Sequence, residues 1–352
     1  MGSDVQITAM RLLTSRPCRV SAIVIFMIFL FTNLPQLPKD TMRDISLPGL
    51  SSPFPPSLKA PPSGVDWSRY AYVQYVTNTD YLCNSIMIFE ALSRLNSKAD
   101  RLMMFPSHFR LDDDSEQSKL LLRARDQYGV HLVPITVQSR ESNEATWAES
   151  FTKLLAFNQT QYDRVLSLDS DATILQPMDE LFLLPSCPVA MPRAYWGNFD
   201  DRVLGSYIML IQPSEFEFNR VMRAIKEASS SEYDMEIVNK LYRDSALILP
   251  HRPYGLLTGE FRSKHHAAYL GNDIEVWDPD RAFKEAKLLH FSDWPVSKPW
   301  IRTPEAIIQE NQPNCRNDSV TGVEDCRSRD LWLGFYSDFT QRREEICGMS
   351  VF

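Results

Sequence analysis

Asp169-Ser170-Asp171 is the first place where residue type and spacing imply chemistry. Two carboxylates one residue apart, directly after the apolar run Arg164-Val-Leu-Ser-Leu168, repel each other unless a cation or a shifted proton affinity relieves them. Such a pair suits a hard divalent cation shared with phosphate oxygens. A second polar constellation is Lys287-Leu-Leu-His290-Phe291-Ser-Asp293-Trp294-Pro-Val-Ser-Lys298-Pro299-Trp300, a strand running into a loop. His290, at the strand's end, is a candidate third metal ligand. Lys298 is a candidate diphosphate partner that offsets leaving-group charge. His108, His131, His251, His265 and His266 read instead as hydrogen-bonded structural residues.

The longer string Asp169-Ser-Asp171-Ala-Thr173 also fits the D-x-D-x-T loop of haloacid-dehalogenase-like phosphatases, with Asp169 as nucleophile and Asp171 as acid and base. That loop ends the first strand of its domain, whereas three strand signals precede it here. Asp112-Asp113-Asp114 opens a helix and Asp278-Pro-Asp280 marks a turn, so neither reads as a metal pair. A catalytically inactive glycan-binding scaffold is the non-enzyme alternative, and carboxylates left without a cation weigh against it.

Composition narrows the classes. With 37 Lys+Arg against 45 Asp+Glu, the net charge of −8 argues against nucleic acid as a partner, and no long basic run occurs. Neither GxGxxG nor GxxxxGK[ST] is present, which disfavours dinucleotide and P-loop chemistry. The hydrophobic share of 44% is that of a chain with a substantial core.

The elements that must position these residues alternate. Ala71–Thr77 is rich in β-formers and ends in the N-cap candidates Asn78, Thr79 and Asp80. Leu82, Ile86, Phe89, Leu92 and Leu95 then recur at helical spacing. Arg101–Phe105 is a second strand, 115–128 a helix closed by Gly129, and His131–Thr136 a third strand placed at an edge by Pro134. The spacing predicts a helix over 144–157 and a buried strand over Arg164–Leu168. This order predicts a mostly parallel sheet covered by helices, with ligands beyond the carboxyl ends of the strands, at Thr77–Tyr81 and after Leu168.

Ahead of that domain, Val20–Phe31 is an apolar block continuing weakly to Leu34, preceded by Arg11, Arg16 and Arg19. Its length of about 15 residues is short for a span. The arginines and the lack of an A-x-A-like site favour a retained signal anchor over a cleaved peptide. Eight prolines between Pro35 and Pro62 make an extended stem. The expected layout is a tail (1–19), an anchor (20–34), a stem (35–66) and a luminal domain (67–352), that is, a type II membrane protein. The sequons at Asn158 and Asn317 agree with a lumen. There Cys315–Cys326 is the expected bridge, and five luminal cysteines leave one unpaired.

Taken together, these residues resemble glycosyltransferase family 8, the glycogenin-like group, over roughly Tyr70–Trp300. The motifs are Tyr72-Val-Gln-Tyr-Val-Thr77-Asn78-Thr-Asp80-Tyr81, Thr152-Lys153-Leu154, Asp169-Ser170-Asp171 and the His290…Lys298-Pro-Trp loop. The resemblance implies a GT-A-like, Rossmann-type fold and retention of anomeric configuration. It implies a UDP-sugar donor contacted by Thr77, Asn78, Tyr81, Lys153, Ser170 and Lys298, and manganese held by Asp169, Asp171 and His290. Three departures stand out. The family's Asn-Ser-Gly on the strand after the D-x-D appears here only as Leu204-Gly205-Ser206. The interval from His290 to Lys298 is two residues longer than usual, and the family's Asp-Gln element is replaced by Asp234-Met-Glu236, leaving open which carboxylate faces the acceptor. Such departures are similar to those of fungal Golgi α-1,2-N-acetylglucosaminyltransferases. The expected activity is therefore transfer of N-acetylglucosamine to a mannose-containing glycan in the Golgi.

Overall fold

The computed structural model describes residues 64–139, 149–317 and 324–350. The expected tail and anchor, and nearly all of the stem, lie outside the described residues. No described helix is long and apolar enough to cross a membrane.

The first half alternates as the pattern predicts. It runs β1 (Tyr70–Tyr75), α1 (Thr79–Arg94), β2 (Asp100–Pro106), α2 (Glu116–Tyr128), β3 (Val130–Ile135) and β4 (Arg164–Leu168). The second half has shorter pieces: β5 (Ala172–Ile174), β6 (Val189–Pro192), β7 (Ile208–Ile211), α3 (Glu215–Glu227), α4 (Asp234–Tyr242), β8 (Leu247–Leu249) and β9 (Leu256–Leu257). After these come α5 (Pro279–Glu285), β10 (Leu288–His290), α6 (Glu305–Asn311) and the 21-residue α7 (Arg327–Cys347).

Seven strands form one sheet in the order β3-β2-β1-β4-β7-β6-β8. β1 to β4 are parallel, and β7 is antiparallel to both of its neighbours. Pro134 lies in the edge strand, where its missing N–H costs no ladder bond. The parallel strands are apolar on both faces because both are covered. Tyr72, Met103, Phe105 and Leu166 pack on α1, α2 and α7, while Val73, Leu102, Met104 and Val165 pack under α3 and α4.

The helix expected over 144–157 is not what forms. Residues 140–148 lie outside the described residues, and Ser150–Asn158 winds as a 3₁₀ helix. Three residues per turn stack Phe151, Leu154 and Phe157 on one edge, all buried in the lower core. The same winding stacks Ser150 and Lys153 on another edge, and both reach Asp234.

A second sheet, β5-β10-β9, supplies the site's other wall. Cys315–Cys326 is bridged as expected. Cys83–Cys347 ties α1 to the end of α7 across 264 residues, and among the described residues Cys187 is the unpaired cysteine.

Candidate functional site

The chain leaves the large sheet at Leu168, makes the Asp169–Asp171 corner and enters the small sheet as β5. The corner is held from two sides. Gln74 on β1 donates to the Leu168 carbonyl (2.8 Å), and the Asp169 N–H donates to the Tyr207 carbonyl on the run into β7 (3.0 Å). Antiparallel pairing of β5 with β10 sets Ala172 opposite His290, and the Phe291 N–H donates to the Asp171 carbonyl (2.9 Å). Residues about 120 positions apart are thereby fixed side by side by backbone hydrogen bonds.

Oxygen and nitrogen atoms of Asp169, Asp171 and His290 lie within 4.8 Å of one another. His290 Nε2 is 3.2 Å from Asp171 Oδ1 and 3.9 Å from Asp169 Oδ2. Its Nδ1 is buried and has no hydrogen-bond partner among the described residues. Two carboxylates and an imidazole form a donor set suited to a divalent cation.

Each carboxylate also has its own lysine. Lys153 Nζ lies 2.6 Å from Asp169 and 2.8 Å from Asp234, with its side chain only 4% exposed. Lys298 Nζ lies 2.6 Å from Asp171 and donates to the Phe291 carbonyl, also at 2.6 Å. Burial works against the charge of Lys153, but Asp169 and Asp234 more than offset it and push its pKa up. Burial likewise opposes the charge of Asp171, yet His290 and Lys298 outweigh it and hold that carboxyl well below the usual range. For Asp169 burial prevails and pushes the carboxyl up.

Of the pair left open by the sequence, Asp234 joins this cluster. Its carboxylate accepts from Ser206 Oγ at 2.7 Å as well as from Lys153. The Glu236 carboxylate instead accepts from the Tyr233 N–H at 2.9 Å, closing the N-terminus of α4. Asn78 is likewise a cap, accepting from the Tyr81 N–H at 3.1 Å, and Thr77 is half-buried in the turn before it. Tyr81 faces the cluster: burial, then the Asp171 and Asp169 carboxylates, push its hydroxyl pKa up. Ser170 is buried between the two aspartates.

Tyr75, Tyr207 and Trp196 border this cluster. Tyr75 OH is 3.3 Å from Asp169 Oδ1. The Tyr207 ring lies 5.4 Å from that of His290 and 5.8 Å from that of Trp196, which is 45% exposed. Glycine at 205 makes that approach feasible, since a Cβ there would meet Tyr207 at 2.7 Å and Trp196 at 3.1 Å. Arg193 serves the fold by donating to the Arg202 and Arg243 carbonyls.

No protein-family model matches the chain. Among curated proteins, it is 58% identical over 290 residues to the glucose N-acetyltransferase 1 of Gibberella zeae, covering 80% of this chain and 63% of that protein. It is 48% identical over 300 residues to the protein of the same name from Aspergillus fumigatus, covering 80% and 78%. The chain belongs to this family. Its members are named as transferase enzymes, and the chain spans a little under two thirds of the Gibberella zeae member's length.

Solved structures show the same fold at far lower identity. The bifunctional glycosyltransferase WbbM aligns with TM-score 0.51 and 15% identity, over 82% of this chain and 53% of that one. The galactosyltransferase LgtC, in complex with donor and acceptor sugar analogues, aligns with TM-score 0.50 and 12% identity, over 79% and 95%. The glucose N-acetyltransferase 1 family member described here thus has the GT-A-like α/β glycosyltransferase fold that the resemblance implies. The phosphatase alternative needs its nucleophile after the first strand of the domain, whereas Asp169 follows the fourth.

Proposed function

We propose that this chain is a retaining, metal-dependent glycosyltransferase of the glycogenin-like type. In this reading it moves N-acetylglucosamine from a UDP-sugar to a hydroxyl of a mannose-containing glycan, as a type II membrane protein of the Golgi. The observation that carries the reading is the convergence of Asp169, Asp171 and His290 beyond the carboxyl ends of the central strands, with Lys298 beside them. The relatives' name joins glucose, N-acetyl and transferase. Paired carboxylates with an imidazole and an ammonium group favour departure of a diphosphate, and hence transfer of the whole N-acetylglucosaminyl unit rather than an acetyl group.

Asp169, Asp171 and His290 would hold the cation, which when bound supplies positive charge against the diphosphate. Lys298 sits at the edge of that cluster and can turn from Asp171 towards the departing phosphate oxygens. Lys153 and Ser206 fix the Asp234 carboxylate, which orients sugar hydroxyls and is not free to act as a nucleophile. The anomeric C–O bond to the diphosphate breaks as the acceptor oxygen bonds on the same face, and the acceptor's proton goes to the leaving diphosphate. Trp196 offers an exposed ring on the Ser206–Asp234 side of the site, suited to stacking on a sugar of the acceptor.

The test is calorimetric binding of UDP with and without Mn²⁺ to wild type and Asp171→Asn. Metal-dependent binding lost in the variant supports the reading. Failure of wild type to bind UDP in either condition overturns it and leaves the scaffold alternative.

A further inference from the structure

The loop carrying Lys298 is longer than the resemblance leads one to expect, and the structure shows what holds it. One stripe of α7 meets it residue by residue. Trp332 Nε1 donates to Asp293 Oδ1 (3.0 Å) and Tyr336 OH to Asp293 Oδ2 (2.9 Å). Phe291 packs on Tyr336 and Phe339, with ring centroids 5.3 and 5.1 Å apart, and Trp300 reaches Phe339 at 6.0 Å. A helical turn further on, Arg343 donates to the Asp80 carbonyl and binds the side chains of Asp80 and Asn84 on α1. Cys347 then bonds Cys83. Positions 332, 336, 339, 343 and 347 fall at i, i+4, i+7, i+11 and i+15, a single helix face. That face therefore spans from the Lys298 loop to the start of α1, where Tyr81 lies.

Asp293 is the polar centre of this grip. Its side chain is fully buried, and besides the two α7 donors it receives Thr258 Oγ1 and Arg262 Nη1, the latter also donating to the Asp293 carbonyl at 2.8 Å. The same carbonyl accepts from the Val296 N–H (2.9 Å), so the carboxylate pins the first residue of the turn that leads to Lys298. Gly259, on the 3₁₀ turn Thr258–Arg262 that follows β9, lets that turn approach the loop closely, since a Cβ there would stand 2.7 Å from the Ser292 carbonyl. A buried carboxylate with four donors and no place in the Asp169–Asp171–His290 cluster needs another account.

We propose that Asp293 is the positioning residue for Lys298: held by Trp332 and Tyr336 of α7, it fixes where the Lys298 ammonium meets Asp171 and so where a donor diphosphate is gripped. The inference rests on the diphospho-sugar reading for the ligand, but its structural half stands apart. The experiment therefore has two readouts on the full chain, for wild type, Asp293→Asn and Tyr336→Phe, each at a temperature where circular dichroism shows the variant folded. The first is the acetylation rate of Lys298 by a small anhydride without ligand, read by peptide mass spectrometry against exposed Lys264 and ion-paired Lys287. The second is UDP affinity in the presence of Mn²⁺.

Loss of a charge-assisted hydrogen-bond centre predicts that Lys298 labelling rises about tenfold in Asp293→Asn and about threefold in Tyr336→Phe, with Lys264 and Lys287 unchanged. UDP affinity falls by matching factors. The Tyr336→Phe variant keeps the proposal testable should Asp293→Asn fail to fold. Unchanged Lys298 labelling in the folded variants overturns the proposal, as does increased labelling with undiminished UDP binding. If wild type itself binds no UDP, the donor reading fails, and the labelling alone decides whether Asp293 positions Lys298.

Discussion

Lys153 and Lys298 each neutralise one carboxylate of the same Asp-Ser-Asp corner, yet they are built into the molecule differently. Lys153 sits on a 3₁₀ turn packed into the lower core, wedged between Asp169 and Asp234. Lys298 sits on a loop, with its side chain 28% exposed and one ion pair to Asp171. A cation buried between two anions cannot leave without stranding both, so Lys153 behaves as part of the fold. Under the proposed function, a partly exposed cation with one ion pair can exchange that pair for a donor phosphate at little cost. The contrast assigns stability to one side of the site and ligand exchange to the other.

The largest effect expected is on the Lys153 side. Lys153→Met leaves Asp169 and Asp234 buried without their cation and should cost about 3–5 kcal/mol of folding stability, read from urea unfolding. Stability within about 1 kcal/mol of wild type would falsify the division of labour drawn above. Next is Asp171→Asn, which keeps the shape of the corner but removes a ligand charge. Turnover of UDP-N-acetylglucosamine should fall by about 100-fold or more with secondary structure intact, and melting far below wild type would mark Asp171 as structural instead.

Lys298→Met sharpens the comparison from the other side. Stability should change by less than about 1 kcal/mol, because the pair is partly solvent-screened, while UDP affinity in Mn²⁺ drops about tenfold. The reverse pattern, lost stability with retained affinity, would exchange the roles of the two lysines. The smallest effect belongs to Trp196→Ala. A lost ring-stacking contact should raise the acceptor KM several-fold and leave UDP affinity unchanged, and an equal loss of donor binding would move Trp196 out of the acceptor region.

Legibility in the sequence followed the range of the interactions. β1, α1, β2, α2, β3 and β4 were readable because each obeys a local period and ends in its own punctuation: Asn78 before α1, Ser115 and Gly129 around α2, Pro134 in the edge strand. The corner at Asp169–Asp171 was readable because like charges after a buried strand are conspicuous. The segment 150–158 was misread because its burial is nearly all-round, so no amphipathic period separates an α-helix from the tighter winding that the Asp234 contacts favour. Glu236 offers the same carboxylate as Asp234 two residues away, and only the cap geometry of α4 and the Lys153 and Ser206 contacts of Asp234 separate them.

By itself the sequence determined the alternating βα half, the location of the carboxylate corner at a strand end, and the candidate roles of His290 and Lys298. All of these depend on residue identity and spacing within a few turns of chain. Tertiary structure alone decided that β5 and β10 pair so that His290 meets Asp171, that Lys153 rather than solvent faces Asp169 and Asp234, and that α7 holds the Lys298 loop through Asp293. Those contacts join residues separated by 16 to well over 100 positions. Their partners are chosen by the packing of the whole core, and no local pattern of side chains records that choice.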